Sequence, residues 1–171
     1  VTEYAAPQIT GLDIEGFQQG INAGSLGSTG PTKENWSATD LRISGKGRTT
    51  GSGINALDSS SAFTANNITV DNTRFGIYVL GTTDAWQAQN ITITNTGGDG
   101  ISGYQSSGDW IVENVNIEDV GGDGVFAYNT TGDWSVGSTE IVNASNGINA
   151  GISSGDLEVI ETTVRDPRED G

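Results

Sequence analysis

The 171-residue chain contains no cysteine, no histidine and no methionine, and only three prolines. Without cysteine there are no disulfides and no thiolate metal sites, and without histidine the zinc chemistry built on imidazole and thiolate is excluded too. Lysine is nearly missing: Lys33 and Lys46 stand against 22 acidic residues, and the formal net charge is −15. A surface of that sign repels polyanions, which argues against nucleic acid and anionic membranes as partners. No apolar run is long enough to span a bilayer, and no stretch carries a 3.6-residue apolar stripe long enough for a helix.

Glycine, by contrast, is abundant at 26 residues, and it recurs at a fixed interval. The stretch GGDGISGYQSSGDW (97–110) returns 24 residues later as GGDGVFAYNTTGDW (121–134). A Gly followed by Ile or Val stands at Gly20, Gly53, Gly76, Gly100, Gly124 and Gly147, and Gly171 falls in the same phase. All steps but the first are 23 or 24 residues; the first is 33. The excess is taken up by glycine-, serine- and threonine-rich loop insertions within 25–53. A second column keeps the phase: Trp36, Phe63, Trp86, Trp110, Trp134 and Leu157. A third is a pair of apolar residues two apart, as in Ile68/Val70, Ile91/Ile93 and Val115/Ile117.

Each unit thus holds three short runs of period-two alternation, rich in β-branched residues and bounded by Gly, Asn, Asp and Ser, which is the pattern of strands. Three short strands per unit describe one rung of a coil, with equivalent residues stacking about 4.8 Å apart. Leucine-rich repeats share the period but need several leucines per unit, and the whole chain has six. The expected fold class is all-β: a single-stranded right-handed parallel β-helix of about seven coils, with residues 1–171 as one domain.

The units NITITNTGGDGI (90–101) and NVNIEDVGGDGV (114–125) resemble the parallel β-helix repeats of the pectate-lyase-like superfamily: an apolar-polar-apolar strand, an Asn-rich turn, then Gly-Ile. The resemblance covers nearly the whole chain and is specific for architecture, since that fold carries many unrelated activities. Polygalacturonase-like members use an Asp trio with a His-containing segment, which a chain without histidine cannot supply. Pectate-lyase-like members use carboxylates that hold Ca2+ and an Arg or Lys that takes the proton. Asp99 and Asp123, in adjacent rungs, are the corresponding metal candidates, with Arg74 one rung earlier. Both aspartates sit in GGDG, where Asp is an ordinary turn residue, and regular repetition marks scaffold. The expectation is no catalytic site, no enzyme, and no cofactor other than Ca2+ on that pair.

The aromatic column Trp36, Phe63, Trp86, Trp110 and Trp134 has two readings: a core ladder, or an outward platform for sugar rings. Alternation puts Ala88 on the face of Trp86 and Val136 on that of Trp134, favouring the inward reading, while Ile111 keeps the other open. Asn67, Asn90 and Asn114 form an asparagine ladder at one turn position, expected to satisfy a buried corner through turn backbone and the next rung's amide. A second polar column is Asn72, Asn95, Asp119, Asn143 and Asp166. Sequons occur at Asn35, Asn67, Asn90, Asn129 and Asn143; those at Asn35, Asn129 and Asn143 are the glycosylation candidates.

A solenoid terminus exposes an apolar cross-section and open strand edges unless it is capped. Neither end carries a capping helix or globule; either copies stack end to end and cover both, or the chain is a slice of a longer β-helix. Glu3, Asp13 and Glu15 near one end and Arg165 and Arg168 near the other are the assembly candidates. Acid spread over every rung resembles proteins from saturated salt, where screening permits such a surface. These features imply a structural, extracellular or cell-surface protein of a halophile, archaeal in type, whose partners are copies of itself and surface glycans. The alternatives are a polysaccharide-binding or polysaccharide-cleaving β-helix, and a viral tail-spike-like adhesin.

Overall fold

The structure is a computed structural model that describes residues 7–23, 35–58 and 61–168. Those residues form sixteen strands and no helix. In chain order they are β1 (Gln8–Thr10), β2 (Asp13–Phe17), β3 (Ile21–Ala23), β4 (Trp36–Gly45), β5 (Ser52–Leu57), β6 (Phe63–Asp71), β7 (Phe75–Leu80) and β8 (Trp86–Thr94). They continue as β9 (Ile101–Tyr104), β10 (Trp110–Glu118), β11 (Val125–Tyr128), β12 (Trp134–Gly137), β13 (Glu140–Val142), β14 (Ile148–Gly151), β15 (Leu157–Ile160) and β16 (Thr163–Arg165).

Every pairing is parallel, and the strands sort into two sheets. The long sheet runs β1-β4-β6-β8-β10-β12-β15, with β2, β13 and β16 completing its levels; the short sheet runs β3-β5-β7-β9-β11-β14. The chain alternates between them, so the molecule is a parallel β-solenoid of about six turns. The long sheet has a seventh level, but the short-sheet position that Gly171 would begin lies outside the described residues, which is why the count is six rather than seven. The register follows the repeat: Trp110 pairs Trp86 and Trp134, Ile117 pairs Ile93 and Ile141, and Val125 pairs Ile101 and Ile148.

In the coils of β4, β6, β8 and β10 two of the three alternating runs belong to one bent strand, whereas in the first coil and the last two they are separate strands. In β6, β8 and β10 the bend falls at Asn67, Asn90 and Asn114, whose φ values are 53°, 55° and 53°. Asn and Asp tolerate this left-handed conformation better than other side-chain-bearing residues. Asn72, Asn95, Asp119, Asn143 and Asp166 make the second corner at φ values of 50–56°, and Gly81, Gln105 and Asn129 the third. The polar columns therefore exist because the coils of β6, β8 and β10 each bend at three left-handed residues. The Asn67, Asn90 and Asn114 corner is exposed, not buried. Its hydrogen bonds run between side chains: Asn114 Nδ2 donates to Asn90 Oδ1 (2.5 Å), Asn90 Nδ2 to Asn66 Oδ1 (2.7 Å) and Asn67 Nδ2 to Asp40 Oδ1 (2.6 Å). A left-handed bend turns its side chain outward, so these amides bond along the surface of the coil.

The Gly of the Gly-Ile anchor has a packing cause. A Cβ on Gly76, Gly100 or Gly124 would lie 2.5–2.7 Å from Ile93, Ile117 or Ile141 respectively. Those isoleucines are fully buried and fill the space between the sheets. The core is built of such columns: Ile43, Val70, Ile93, Ile117 and Ile141 from the long sheet, and Ile54, Ile77, Ile101 and Val125 from the short one. The segment after β4 folds down over the following coils. There Arg48 Nε and Nη2 donate to the Thr96 carbonyl (3.0 and 2.6 Å), and Nη2 also donates to the Asp119 carbonyl (3.0 Å).

The aromatic column lies inside. Trp36, Phe63, Trp86, Trp110 and Trp134 stack in sequence at centroid spacings of 4.6, 5.5, 4.7 and 4.5 Å, with planes within 13° of parallel. Phe63, Trp86, Trp110 and Trp134 are buried. Room for the indoles comes from small residues opposite: the nearest atoms to a Cβ on Gly103 would be Trp110 Cζ2 and Cε2, at 3.1 and 3.3 Å.

Candidate functional site

With the tryptophans buried, the outward aromatic residues belong to the short sheet. Alternation that turns Ile77, Ile101 and Val125 inward turns the next residue outward, so Tyr78, Ser102, Phe126 and Asn149 form one outer column, in which Ser102 is covered by its neighbours. Leu80, Tyr104 and Tyr128 form the next. Phe75, Tyr78, Tyr104, Phe126 and Tyr128 are all half-buried, each presenting part of its ring to solvent. The rings touch: Phe75–Tyr78 at 5.0 Å, Tyr104–Tyr128 at 5.0 Å and Phe126–Tyr128 at 6.0 Å between centroids. Arg74 lies over Phe75, 4.8 Å from the ring centre, a cation–π contact that fixes both side chains at one edge of the face.

Asp99 and Asp123 stand at the margin of this face, one coil apart. Asp99 Oδ1 accepts from the Asp123 backbone N–H (3.0 Å), and Ser102 also donates to Asp99. Asp123 accepts on both oxygens, from Asn146 Nδ2 and Asn149 Nδ2, each at 2.7 Å. Burial raises the Asp99 pKa; the Asp123 carboxylate adds to the rise, while the hydrogen bonds to Asp99 oppose it. Burial likewise raises the Tyr78 phenol, with Tyr104 and Asp99 adding and Arg74 opposing. Among the described residues no group of three or more acidic side chains has the geometry of a cation site. The Asp99–Asp123 pair spends its oxygens on donors of the chain, three of them to Asp123 and Asp99 from neighbouring coils.

The same device explains the aspartates before Trp110, Trp134 and Leu157. Asp133 N donates to Asp109 Oδ1 and Asp156 N to Asp133 Oδ1, both at 2.9 Å. Each carboxylate receives the amide of the aspartate one coil on, a charge-assisted bond repeated along the solenoid. Ile111, 36% exposed, lies on the outer surface beside this acidic column.

The sequon residues fall in different settings. Asn129 is exposed at a left-handed corner (φ 53°), one residue beyond Tyr128. Asn35 is exposed, with its Oδ1 accepting from the Ala62 N–H (3.2 Å). Asn143 is half-buried and engaged at both ends: its Nδ2 donates to Asp119 Oδ1 and its Oδ1 accepts from Arg168 Nε (2.7 Å). Of the assembly candidates, Asp13 and Glu15 are exposed on β2; Arg165 pairs with Glu140 (3.1 Å) on the last coil, and Arg168 lies just beyond it. Glu3 lies outside the described residues.

The aromatic face is the feature that reasoning from sequence passed over. Its main column changes residue type at every level, from Tyr78 to Ser102 to Phe126 to Asn149, so no repeat flags it. Alternation from the Gly-Ile anchor was the signal that could have found it. Comparison with family models, with curated proteins and with solved structures gives no match.

Proposed function

We propose that the protein is a saccharide-binding β-solenoid of a cell surface or extracellular setting, with the outer face of its short sheet as the binding surface. The carrying observation is the file of half-exposed rings, Phe75, Tyr78, Tyr104, Phe126 and Tyr128, on the outer side of one parallel sheet. An aromatic face accepts the apolar face of a pyranose, while the hydroxyls of Tyr78, Tyr104 and Tyr128 offer hydrogen bonds to its rim. A flat row running along the coil axis suits an extended chain of sugars better than a compact ligand. The resemblance to pectate-lyase-like repeats agrees with this ligand class, and the strongly acidic composition with a setting of high salt.

Binding without cleavage is the favoured form, because Asp99 and Asp123 are held by backbone and amide donors and repeat like scaffold. The test is retention on a panel of soluble polysaccharides, followed by titration calorimetry on those that bind. The double variant Tyr104→Ala/Tyr128→Ala is expected to lose about tenfold or more in affinity at about 0.5–1.5 kcal/mol per ring beyond area. Because both rings face outward, the circular dichroism spectrum should stay that of the parent. A panel with no retained member, or undiminished binding by the double variant, would overturn the reading.

A further inference from the structure

The five sequons, at Asn35, Asn67, Asn90, Asn129 and Asn143, sit at different places on the coil. A sugar carried by the folded protein makes three demands on such a site. The asparagine must face solvent, its Nδ2 must not be spent on the chain, and the hydroxyl two residues on must be open, because asparagine and hydroxyl are read together. Asn67-Ile68-Thr69 lies inside β6 and Asn90-Ile91-Thr92 inside β8, each strand paired on both sides. Their Nδ2 groups donate to Asp40 Oδ1 and Asn66 Oδ1 of the preceding coil. Asn35 runs directly into β4, where Ser37 is half-buried between Gln8 and Thr64. Asn143 is half-buried, its Nδ2 donates to Asp119 Oδ1, and the Ser145 hydroxyl donates to the Gly121 carbonyl (3.0 Å).

Asn129-Thr130-Thr131 meets all three demands. It lies at the corner between β11, which ends at Tyr128, and β12, which begins at Trp134. Described coils stand on both sides of it: the Asn129 N–H donates to the Gly151 carbonyl (3.3 Å) and the Thr131 N–H to the Ser106 carbonyl (3.0 Å). Its exposure therefore belongs to the flank of the solenoid and not to an open end. The left-handed backbone at Asn129 (φ 53°) turns the amide outward. Asn129 and Thr131 are both exposed, and neither side chain has a hydrogen-bond partner among the described residues. Thr130 between them is fully buried, and its hydroxyl donates to Ser153 Oγ (2.9 Å). The corner is thus pinned from beneath while the side chains on either side of the pin stand clear.

We infer that Asn129 is an N-glycosylation site, the one sequon of the five that carries a sugar on the folded protein. The inference rests on the cell-surface or extracellular setting of the reading above, and it does not depend on saccharide binding by the aromatic face. The donor is a glycosyl phosphate or diphosphate, and a separate transferase brings it to the corner. Asn129 Nδ2 bonds to the anomeric carbon, the bond from that carbon to the phosphate oxygen breaks, and the phosphate leaves with the electron pair. Nδ2 gives up one proton to a base of the transferase and keeps the other, so the product is a secondary amide. Thr131 supplies the hydroxyl by which the acceptor is read. The attached chain begins one residue beyond Tyr128, at the rim of the aromatic face, and adds hydrated bulk to that flank.

Peptide mapping by mass spectrometry, on the protein purified from its source organism with the cell fraction recorded, tests this. The expected result is a sugar mass on the peptide that holds Asn129, with Asn35, Asn67, Asn90 and Asn143 bare. Produced in the same organism, Thr131→Val should lose that mass and Thr131→Ser should keep it. Both variants should retain the circular dichroism of the parent, because the Thr131 side chain is exposed and touches no hydrogen-bond partner. The polysaccharide panel is run on the same material, so the two readings fail separately. A bare Asn129 on an exported protein that still binds a polysaccharide overturns this inference alone, and a glycosylated protein that binds none overturns only the saccharide reading. Recovery from the cytoplasm with Asn129 bare overturns the setting and this inference together. The inference also falls if any of the other four sequons is occupied as fully as Asn129, or if Thr131→Val keeps the sugar.

Discussion

A methyl group on Gly100 would lie 2.7 Å from both the Gly124 carbonyl oxygen and Ile117 Cγ2, two atoms held in place by the next coil. Gly100→Ala is therefore expected to destabilise the fold by about 1–3 kcal/mol, the usual cost of overpacking. At Gly137 the nearest heavy atoms to an added Cβ are 4.0 Å away, so Gly137→Ala should leave stability unchanged or raise it by about 0.5–1 kcal/mol. Urea midpoints of the two variants check both signs together. Asp99 allows a test by pH. Its pKa is raised in the folded state, so the native protein binds this proton more tightly than the unfolded chain does. Asp99 thus lowers stability progressively as pH rises from the ordinary aspartate range through its native titration, and costs nothing below that range. Asp99→Asn keeps an acceptor for the Asp123 N–H and has no carboxylate to ionise. Its stability relative to the parent should rise with pH across that interval, as read from urea midpoints; a constant difference would mean the carboxylate is not raised.

Five successive coils contribute a ring each to the stack, and the stack is where element-level energetics concentrate. The indole nitrogens of Trp36, Trp86, Trp110 and Trp134 are buried without a hydrogen-bond acceptor among the described residues. A buried unpaired donor costs about 1–3 kcal/mol, so the ladder stands on apolar burial and stacking in spite of its N–H groups. Trp110→Ala should cost about 3–5 kcal/mol. Trp110→Phe removes the unpaired donor and keeps a ring in the stack, as Phe63 already does, and should cost much less; thermal or urea unfolding of the pair separates the two contributions. The inward direction of these rings was legible in sequence from Ala88 and Val136 beside Trp86 and Trp134. The exposure of the asparagine corners was not, because a turn column gives its residue type without saying that the left-handed backbone turns the amide outward. Nor does alternation reveal that two of the three short runs join into one strand bent at Asn90 or Asn114.

Parallel stacking of the whole molecule followed from phase alone: six Gly-Ile or Gly-Val anchors at a 23–24-residue step, save one interrupted by the insertions within 25–53. What phase could not supply was the half-exposed aromatic face, since Tyr78, Ser102, Phe126 and Asn149 share a column without sharing chemistry. Because the sheet hydrogen bonds of each coil run only to the coils on either side, the molecule has a mechanical grain. Pulled at its two ends, it should yield by peeling from an edge, one turn at a time. Each turn of 23–24 residues would release slack on the order of 80 Å when drawn straight. The Arg48 side chain, bonded to carbonyls of two later coils, ties three turns together and would hold longest against that load.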